Sequence, residues 1–341
     1  MQVTFDFVAY GEKFEPQPDT VVLDVGMRTV PGVIDHHHPE AEAECTASLI
    51  ARHPELVLDH VKRPETLRLI THRLPDFDAL SSIFLTLKLL EIGTVDAAMQ
   101  KISSYAKMVD SASLPKEIDL AATPYSILRA LFSGAKKEES EINRERTAEG
   151  GKFMRFLYTK AQDGYAIEEN RVLFSGIERY ERATRKIESD YFHYLDDVSR
   201  SQRLILDLPL CQKKGKKSVD GLIVKNPSSF LLREWARRDT NLPSFREGFS
   251  FLLTNFGNQR YILGVDPDKG VHLKGLGGLL NREESRRRNA SGRSFLLPWY
   301  DGNCPFFNYR IIDSPQDGTL LSQQEIVDLL QEFSRSLYRD N

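Results

Sequence analysis

The stretch TLRLITHRLPDFDALSSIFLTLKLLEIG (residues 66–93) places an apolar run, a polar loop and a longer apolar run in direct succession. The first run has the composition of a buried strand that ends in a polar loop. The second run has the length of a helix, and Gly93 stands where a left-handed residue would end it. A strand, a polar loop and a helix in this order indicate an α/β fold that binds ligands at the carboxyl edge of its sheet.

Two further strand-like runs precede this stretch. The sequences TVVLDVG (20–26) and GVIDHH (32–37) contain short runs rich in β-branched residues, each followed by an Asp. Buried parallel strands have this composition, with polar residues emerging at their C-terminal ends. Thr46 is expected to cap a helix over 47–53. We therefore predict a parallel-sheet α/β domain in this part of the chain.

Residues 137–198 are predicted to be helical. Apolar residues recur there with an alternating spacing of four and three residues, which lines one face of a long helix. This face is expected to pack inside the molecule, and the alternative is the seam of a homodimer. Its residues are Leu173, Ile177, Tyr180, Thr184, Ile187, Tyr191, Tyr194 and Val198.

Beyond residue 200 the pattern changes to strand-like runs separated by KKGKK and by Pro- or Asn-rich turns, followed by helical patterns. We place a domain boundary near 199–203, at the end of the long helix. The first predicted domain covers residues 1–200 and includes the helical segment 137–198. The second covers residues 203–341 and is a smaller, mixed α/β domain. A chain of 341 residues suits two domains better than one.

The composition is that of an ordinary globular protein, with 40% hydrophobic residues, 28% charged residues and a formal net charge of -3. This balance argues against binding of long duplex DNA, which depends on many phosphate contacts. Cys45, Cys211 and Cys304 are too scattered for a disulfide framework and suit a reducing cytoplasm. No signal peptide or membrane span is expected, because the first residues alternate like a strand and no apolar run approaches about 18 residues.

Histidines and aspartates concentrate at the predicted strand ends. The loop at 71–82 carries an H-x3-D-x-D pattern, and two neighbouring strands end in Asp and in Asp-His-His. Convergence of these side chains would combine carboxylate oxygens with imidazole nitrogens, which suits Mn²⁺, Fe²⁺, Co²⁺ or Zn²⁺ better than Ca²⁺. The residues concerned are Asp24, Asp35, His36, His37, His72, Asp76 and Asp78.

The motifs HRLPDFDALSS and DHH resemble those of the DHH phosphoesterase superfamily. That superfamily includes single-strand nucleases, oligoribonucleases, cyclic-dinucleotide phosphodiesterases and manganese-dependent inorganic pyrophosphatases. Its hallmarks are an H-x3-D-x-D-A loop, an Asp at the end of another strand, the DHH triplet and one further Asp. The resemblance covers about residues 20–112 of this chain.

The resemblance implies two adjacent metal ions, written here as Mn²⁺ with Mg²⁺, Co²⁺, Fe²⁺ or Zn²⁺ as alternatives. Such a pair activates water and stabilises both the attacking and the leaving oxygen. The implied ligands are His72, Asp76 and Asp24 for one ion, and Asp78, His36, Asp110 and again Asp24, as a bridge, for the other. For Asp110 the alternative interpretation is an ordinary helix-terminal Asp.

The other two residues of the triplet are candidate catalytic residues. By the resemblance, His37 would face the substrate phosphate or support a neighbouring ligand. Asp35 would orient a histidine, because ligating imidazoles usually donate their second N–H to an acceptor.

The chain departs from the superfamily pattern in two ways. In familiar members the H-x3-D-x-D loop comes first, whereas here DHH precedes it. The usual C-terminal domain carries a Gly-Gly-Gly-His loop that holds the substrate, whereas GLGGLLN (275–281) lacks the His. The order of the strands is therefore open, although function depends on convergence in space.

A basic segment, NREESRRRNASGR (281–293), is a candidate for substrate binding in the second domain. Arginines can bind phosphate through two parallel hydrogen bonds, and the alternative is a solvated charged face. The candidate residues are Arg286, Arg287, Arg288 and Arg293.

The predicted architecture is a parallel-sheet, DHH-like α/β domain with a long helix, followed by a smaller mixed α/β domain. The predicted function is metal-dependent hydrolysis of a phosphodiester in a small nucleotide, cyclic dinucleotide or short oligonucleotide in the cytoplasm. Within enzymes, the alternative is a pyrophosphatase or phosphomonoesterase. Outside enzymes, it is a sensor or assembly module that retains the fold.

Overall fold

The computed structural model describes residues 2–63, 65–134, 138–294 and 297–336. These residues form a mixed α/β protein with two sheets that both contain parallel segments, which confirms the predicted fold class. Across the described ranges, the helices are all too short or too polar to span a membrane.

The strands and helices are as follows. The strands are β1 (Gln2–Val8), β2 (Thr20–Leu23), β3 (Thr29–Val30), β4 (Val33–Ile34), β5 (Thr66–His72), β6 (Gln202–Pro209), β7 (Lys216–Lys225), β8 (Phe251–Asn255), β9 (Tyr261–Val265) and β10 (Ile311–Asp313). The helices are α1 (Thr46–Arg52), α2 (Glu55–Leu58), α3 (Phe77–Ile92), α4 (Ala97–Asp110), α5 (Pro124–Phe132), α6 (Glu139–Gln162), α7 (Glu178–Ser199), α8 (Leu232–Arg238), α9 (Leu276–Ser291) and α10 (Gln323–Ser336).

The described residues form two compact units. The first contains the residues up to Glu188 together with Cys304–Phe306, and the second contains the rest. The division falls inside α7, whereas we placed the boundary at its end, near 199–203. The last turns of α7 belong to the second unit because Tyr194 and Val198 are buried in a cluster with residues of β7 and α8.

The first unit contains a sheet with the strand order β1-β5-β2-β4-β3. The strands β1, β5, β2 and β4 are parallel, and the short β3 pairs antiparallel with β4. The strand of the H-x3-D-x-D motif, β5, therefore lies between the N-terminal strand and the strand that precedes Asp24. The carboxyl ends of all four parallel strands meet at one edge of this sheet.

The helix α3 follows the loop of β5 and is buried along most of its length. Asp76 caps its N-terminus by accepting a hydrogen bond from the N–H of Ala79, and Gly93 caps its C-terminus with a φ of 75°. The helix is apolar on nearly every face, as expected for a helix with neighbours on all sides. It contacts α1, α4 and α6, so that it forms the centre of the first unit.

The segment predicted to be helical over 137–198 contains two separate helices rather than one. The helices α6 and α7 are interrupted over residues 163–177, where Gly164 and Gly176 adopt positive φ values of 88° and 75°. Leu173 and Ile177 therefore precede α7 and do not lie on its face. Tyr180 and Ile187, within α7, are buried as the spacing predicted.

The second unit contains a sheet with the order β10-β9-β8-β7-β6. The strands β7 and β8 are parallel, and the other neighbours are antiparallel. Its core includes Phe251 and Leu263 from the sheet, Leu280 from α9 and Leu330 from α10. This unit has its own hydrophobic core, as a mixed α/β domain requires.

Candidate metal centre

The candidate site lies where the four parallel strands of the first unit end. His72 is the last residue of β5, Asp24 directly follows β2, and Asp35 directly follows β4. Tyr10 comes two residues after the last residue of β1. Each parallel strand thus delivers a polar or aromatic side chain to the same edge.

The first group of potential metal ligands consists of Asp24, His72 and Asp76. The Nε2 atom of His72 lies 3.2 Å from Oδ2 of Asp24 and 3.8 Å from Oδ1 of Asp76. Asp24 and His72 are buried, whereas the side chain of Asp76 is 49% exposed. The group is therefore open to solvent on the side of Asp76.

The second group consists of His36, Asp78 and Asp110. The Nε2 atom of His36 lies 3.2 Å from Oδ2 of Asp110. Asp110 is the last residue of α4, where the helix dipole disfavours a carboxylate. A bound cation would compensate this unfavourable position.

Asp24 connects the two groups. Its Oδ1 atom lies 3.4 Å from Nδ1 of His36, while its Oδ2 atom lies near His72. The residue adopts a φ of 60°, in the left-handed region that Asp tolerates better than most residues. Such uncommon backbone conformations concentrate at functional sites.

Asp35 and His37 form a hydrogen-bonded pair and, with Asp24 and His36, make up a third group of potential metal ligands. The Nδ1 atom of His37 lies 2.7 Å from Oδ1 of Asp35, and the Oδ2 atom of Asp35 accepts a hydrogen bond from the N–H of Met27. Burial disfavours the charged form of each side chain, but their mutual attraction outweighs it. The pKa of His37 is therefore raised well above its usual value, and that of Asp35 lies well below its usual range. Asp35 thus orients His37.

The charge of Asp78 is poorly compensated by protein groups. Its two oxygens accept hydrogen bonds from the N–H groups of Thr46 and Ala47, which favour the ionised carboxylate. Burial and the negative charges of Asp24 and Asp110 nevertheless raise the pKa of Asp78 well above its usual value. A divalent cation among these carboxylates would relieve this repulsion.

The candidate ligands His36 and His72 differ in protonation. Burial, followed by the nearby charge of His37, lowers the pKa of His36 to about 4, which leaves its imidazole in the neutral form that metals bind. Burial also disfavours the charged form of His72, but hydrogen bonds and charges from Asp24 and Asp76 raise its pKa to about 10. Metal binding at His72 would therefore displace a proton.

The donor set and its burial allow each of these groups to hold a metal ion. The structure brings together all the sequence-predicted ligands, which are Asp24, His36, His72, Asp76, Asp78 and Asp110.

Thr46 was expected to cap α1, and this prediction is wrong. Cys45 occupies the N-cap position, and Thr46 is the first helical residue. The Thr46 hydroxyl instead donates to Oδ1 of Asp24 and lies 3.2 Å from Nδ1 of His36. It supports two candidate ligands, a role that sequence reasoning missed.

Two aromatic side chains at the site were also missed. The ring of Tyr10 stacks on His72 with centroids 4.1 Å apart, and its hydroxyl lies 3.1 Å from Nε2 of that histidine. The ring of Phe306 meets His36 edge-on at 4.8 Å. Only the position of Tyr10 just after an alternating strand offered a signal, because Phe306 is remote in sequence.

The predicted substrate-binding arginines lie in the second unit, on and just after α9. Arg288 is 2% exposed, and its guanidinium is bound by Glu284 and Asp317 and by the carbonyls of Ser294 and Gly318. These contacts occupy the side chain, so Arg288 supports the fold of this unit and is not available to a substrate.

The neighbouring arginines are more accessible. Arg286 pairs with Glu283, Arg287 pairs with Glu283 and Glu325, and Arg293 is exposed. A role for these three residues in substrate binding stays a prediction.

No protein-family model matches the chain, and no curated protein shows significant similarity to it. Inferences about its function therefore rest on the sequence motifs and on the geometry described above.

Proposed function

We propose that this chain is a metal-dependent phosphoesterase of the DHH type. Its substrate would be a phosphodiester in a small nucleotide, cyclic dinucleotide or short oligonucleotide. One observation carries the proposal: two buried or half-buried His/Asp groups lie side by side at a parallel-sheet edge and are connected by Asp24. Adjacent sites of this kind suit the two-metal hydrolysis of phosphate esters.

Two Mn²⁺ ions, with Mg²⁺, Co²⁺, Fe²⁺ or Zn²⁺ as alternatives, suit a donor set that combines imidazole nitrogens with several carboxylate oxygens. His72 and Asp76 would hold one ion, His36, Asp78 and Asp110 would hold the other, and Asp24 would contribute to both. When bound, such ions polarise a phosphoryl group and make water a stronger nucleophile.

His37 would bind the substrate phosphate. Its Nδ1–H is directed to Asp35, which fixes the orientation of the ring. The raised pKa keeps the imidazole protonated and positively charged near neutral pH. A cationic donor in a largely buried site favours an anionic phosphate oxygen.

We place this activity in the cytoplasm, because Cys45, Cys211 and Cys304 are all free thiols. The proposed partner is a small phosphorylated or nucleotidic molecule rather than long duplex DNA, since the net charge of the chain is only -3. Arg286, Arg287 and Arg293 remain candidates for binding its phosphates.

The Asp76→Asn variant tests this function. Asn caps a helix about as well as Asp, so α3 should still form. Removal of a ligand charge should lower kcat/KM at least 100-fold, since loss of groups behind the ligands alone costs about 10- to 100-fold. Turnover would be measured with Mn²⁺ against cyclic dinucleotides, dinucleotides, short single strands, pyrophosphate and phosphomonoesters, with a chelator control.

Asp163→Asn, at an exposed position after α6, is the matched control and should retain full activity. Unchanged turnover in Asp76→Asn would rule out the role of that residue. A wild-type protein that neither binds Mn²⁺ nor hydrolyses any of these compounds would favour a non-catalytic module.

A further inference from the structure

The loop that joins His72 to Asp76 contains a residue in an uncommon backbone conformation. Leu74 has a φ of 57°, in the left-handed region that residues other than Gly, Asn and Asp rarely adopt. The turn at Leu74 helps to bring Oδ1 of Asp76 to within 3.8 Å of Nε2 of His72. The geometry of the first ligand group therefore depends on a conformation that Leu74 does not favour by itself.

Two side chains of α6 hold both backbone groups of Leu74. The Oδ1 atom of Asn143 accepts a hydrogen bond from the N–H of Leu74 at 2.6 Å, and Nη1 of Arg146 donates to its carbonyl at 3.2 Å. Positions 143 and 146 are three residues apart and lie on the same face of the helix. The helix thus holds both polar backbone groups of Leu74, which belong to two successive peptide units of the loop.

The side chains of Asn143 and Arg146 are themselves held in place by their surroundings. Asn143 is 3% exposed, and the guanidinium of Arg146 lies 5.2 Å from the ring centroid of Phe132 on α5. Among the described residues, the Nε atom of Arg146 is buried and has no hydrogen-bond partner. A buried donor left without a partner is unfavourable, so other contacts must hold this side chain in place.

We propose that Asn143 and Arg146 are positioning residues that hold Leu74 in the left-handed conformation and thereby set Asp76 against His72 for metal binding. The inference rests on the proposed metal centre. It adds a requirement that the motif alone does not contain, because α6 lies far downstream of the H-x3-D-x-D loop.

Mn²⁺ binding to the full-length protein, measured by titration calorimetry, tests this proposal without reference to turnover. The Asn143→Ala variant should bind Mn²⁺ at the His72 group about 10- to 100-fold more weakly, as for other residues that orient ligands. The affinity of the His36 group should change less. Thr147→Ala is the matched control, since Thr147 is buried on the same helix and donates to its own helix backbone.

A second substitution separates a positioning role from a general loss of packing. Glycine adopts positive φ without a side-chain clash, so Leu74→Gly should restore part of the Mn²⁺ affinity that Asn143→Ala loses. A variant damaged only in its core would not regain affinity in this way. Should Asn143→Ala fail to fold, Arg146→Met removes the donor to Leu74 while keeping an apolar stem against Phe132, and it should also weaken binding.

Each result decides between defined alternatives. Wild-type affinity in the folded Asn143→Ala variant, or in Arg146→Met if the former does not fold, would overturn the positioning role and leave the metal centre intact. A loss of affinity that Leu74→Gly does not relieve would also overturn it. A wild-type protein that binds no Mn²⁺ would overturn both the proposed function and this inference.

Discussion

At the scale of single residues, the side chains of the candidate site are held in place by their neighbours. Asp35 orients His37, and the hydroxyl of Thr46 donates to Asp24 while lying beside His36. Groups behind metal ligands fix the orientation of those ligands and raise their affinity for metal. Thr46 is the most informative of these neighbours because it contacts both candidate ligand groups.

The Thr46→Val variant should lower Mn²⁺ affinity by about 10- to 100-fold, because Val keeps the shape of the side chain and removes its hydroxyl. Thr71→Val is the matched control, since the buried Thr71 hydroxyl has no hydrogen-bond partner among the described residues. The control should keep its affinity and be as stable as the wild type or more stable. Equal Mn²⁺ affinity in both variants, measured by calorimetry, would show that the Thr46 hydroxyl is not needed.

At the scale of elements, the approach of α6 to α3 depends on a residue without a side chain. A Cβ atom added at Gly150 would lie 2.6 Å from Cδ1 of Leu80, which is itself 2% exposed. The same atom at Gly151 would meet nothing within 4 Å. Because α6 also carries Asn143 and Arg146, this close contact fixes the helix that holds the loop at Leu74.

The paired variants Gly150→Ala and Gly151→Ala test this contact. Both gain about 1 kcal/mol of helix propensity, so the gain cancels in the comparison. Overpacking against Leu80 should make Gly150→Ala less stable than Gly151→Ala by about 1–3 kcal/mol in urea unfolding. Equal stabilities would mean that the packing of α3 against α6 accommodates the added methyl group without a loss of stability.

The elements also explain which parts of the site were predictable. His72, Asp76 and Asp78 form one local motif that is visible in the sequence. Residues that directly follow a strand are also predictable, because the composition of the strand indicates where it ends. Asn143 and Phe306, in contrast, reach the site only through tertiary packing. No local pattern marks such residues, because their partners lie tens to hundreds of positions away in the chain.

At the scale of the whole molecule, the second unit contains a buried ionic network at the middle of α9. Arg288 pairs with Glu284, which is 0% exposed and also accepts hydrogen bonds from Thr319 and Leu320. The pattern RRR therefore combines one structural arginine with two accessible ones. Sequence alone could not separate them, since all three have the same chemistry and only their helical phase differs.

Arg288→Met should destabilise the protein by about 3–5 kcal/mol, because it leaves a buried carboxylate without its cation. Arg286→Met, at a position where the side chain is 70% exposed, should leave the free energy of unfolding unchanged. Thermal and urea unfolding would measure both variants. A stable Arg288→Met variant would return this arginine to the set of possible substrate ligands.

The fold class and the strand ends were predictable because they depend on local composition. The limits of the two units could not be predicted in this way, because the burial of Tyr194 and Val198 depends on partners in β7 and α8. The order β1-β5-β2-β4 was open for a similar reason, because β5 pairs with strands on both sides that precede it in the chain.

That strand order has a consequence for biosynthesis. As the chain emerges from the ribosome, β1 and β2 cannot complete this sheet, because the strand between them has not yet been made. The sheet closes only when residues 66–72 insert in the gap, and with them arrives the histidine of the H-x3-D-x-D motif. Insertion of a central parallel strand is a slow, non-local step. The nascent chain therefore presents two unpaired strand edges until that moment, and this interval is when a chaperone would be most useful.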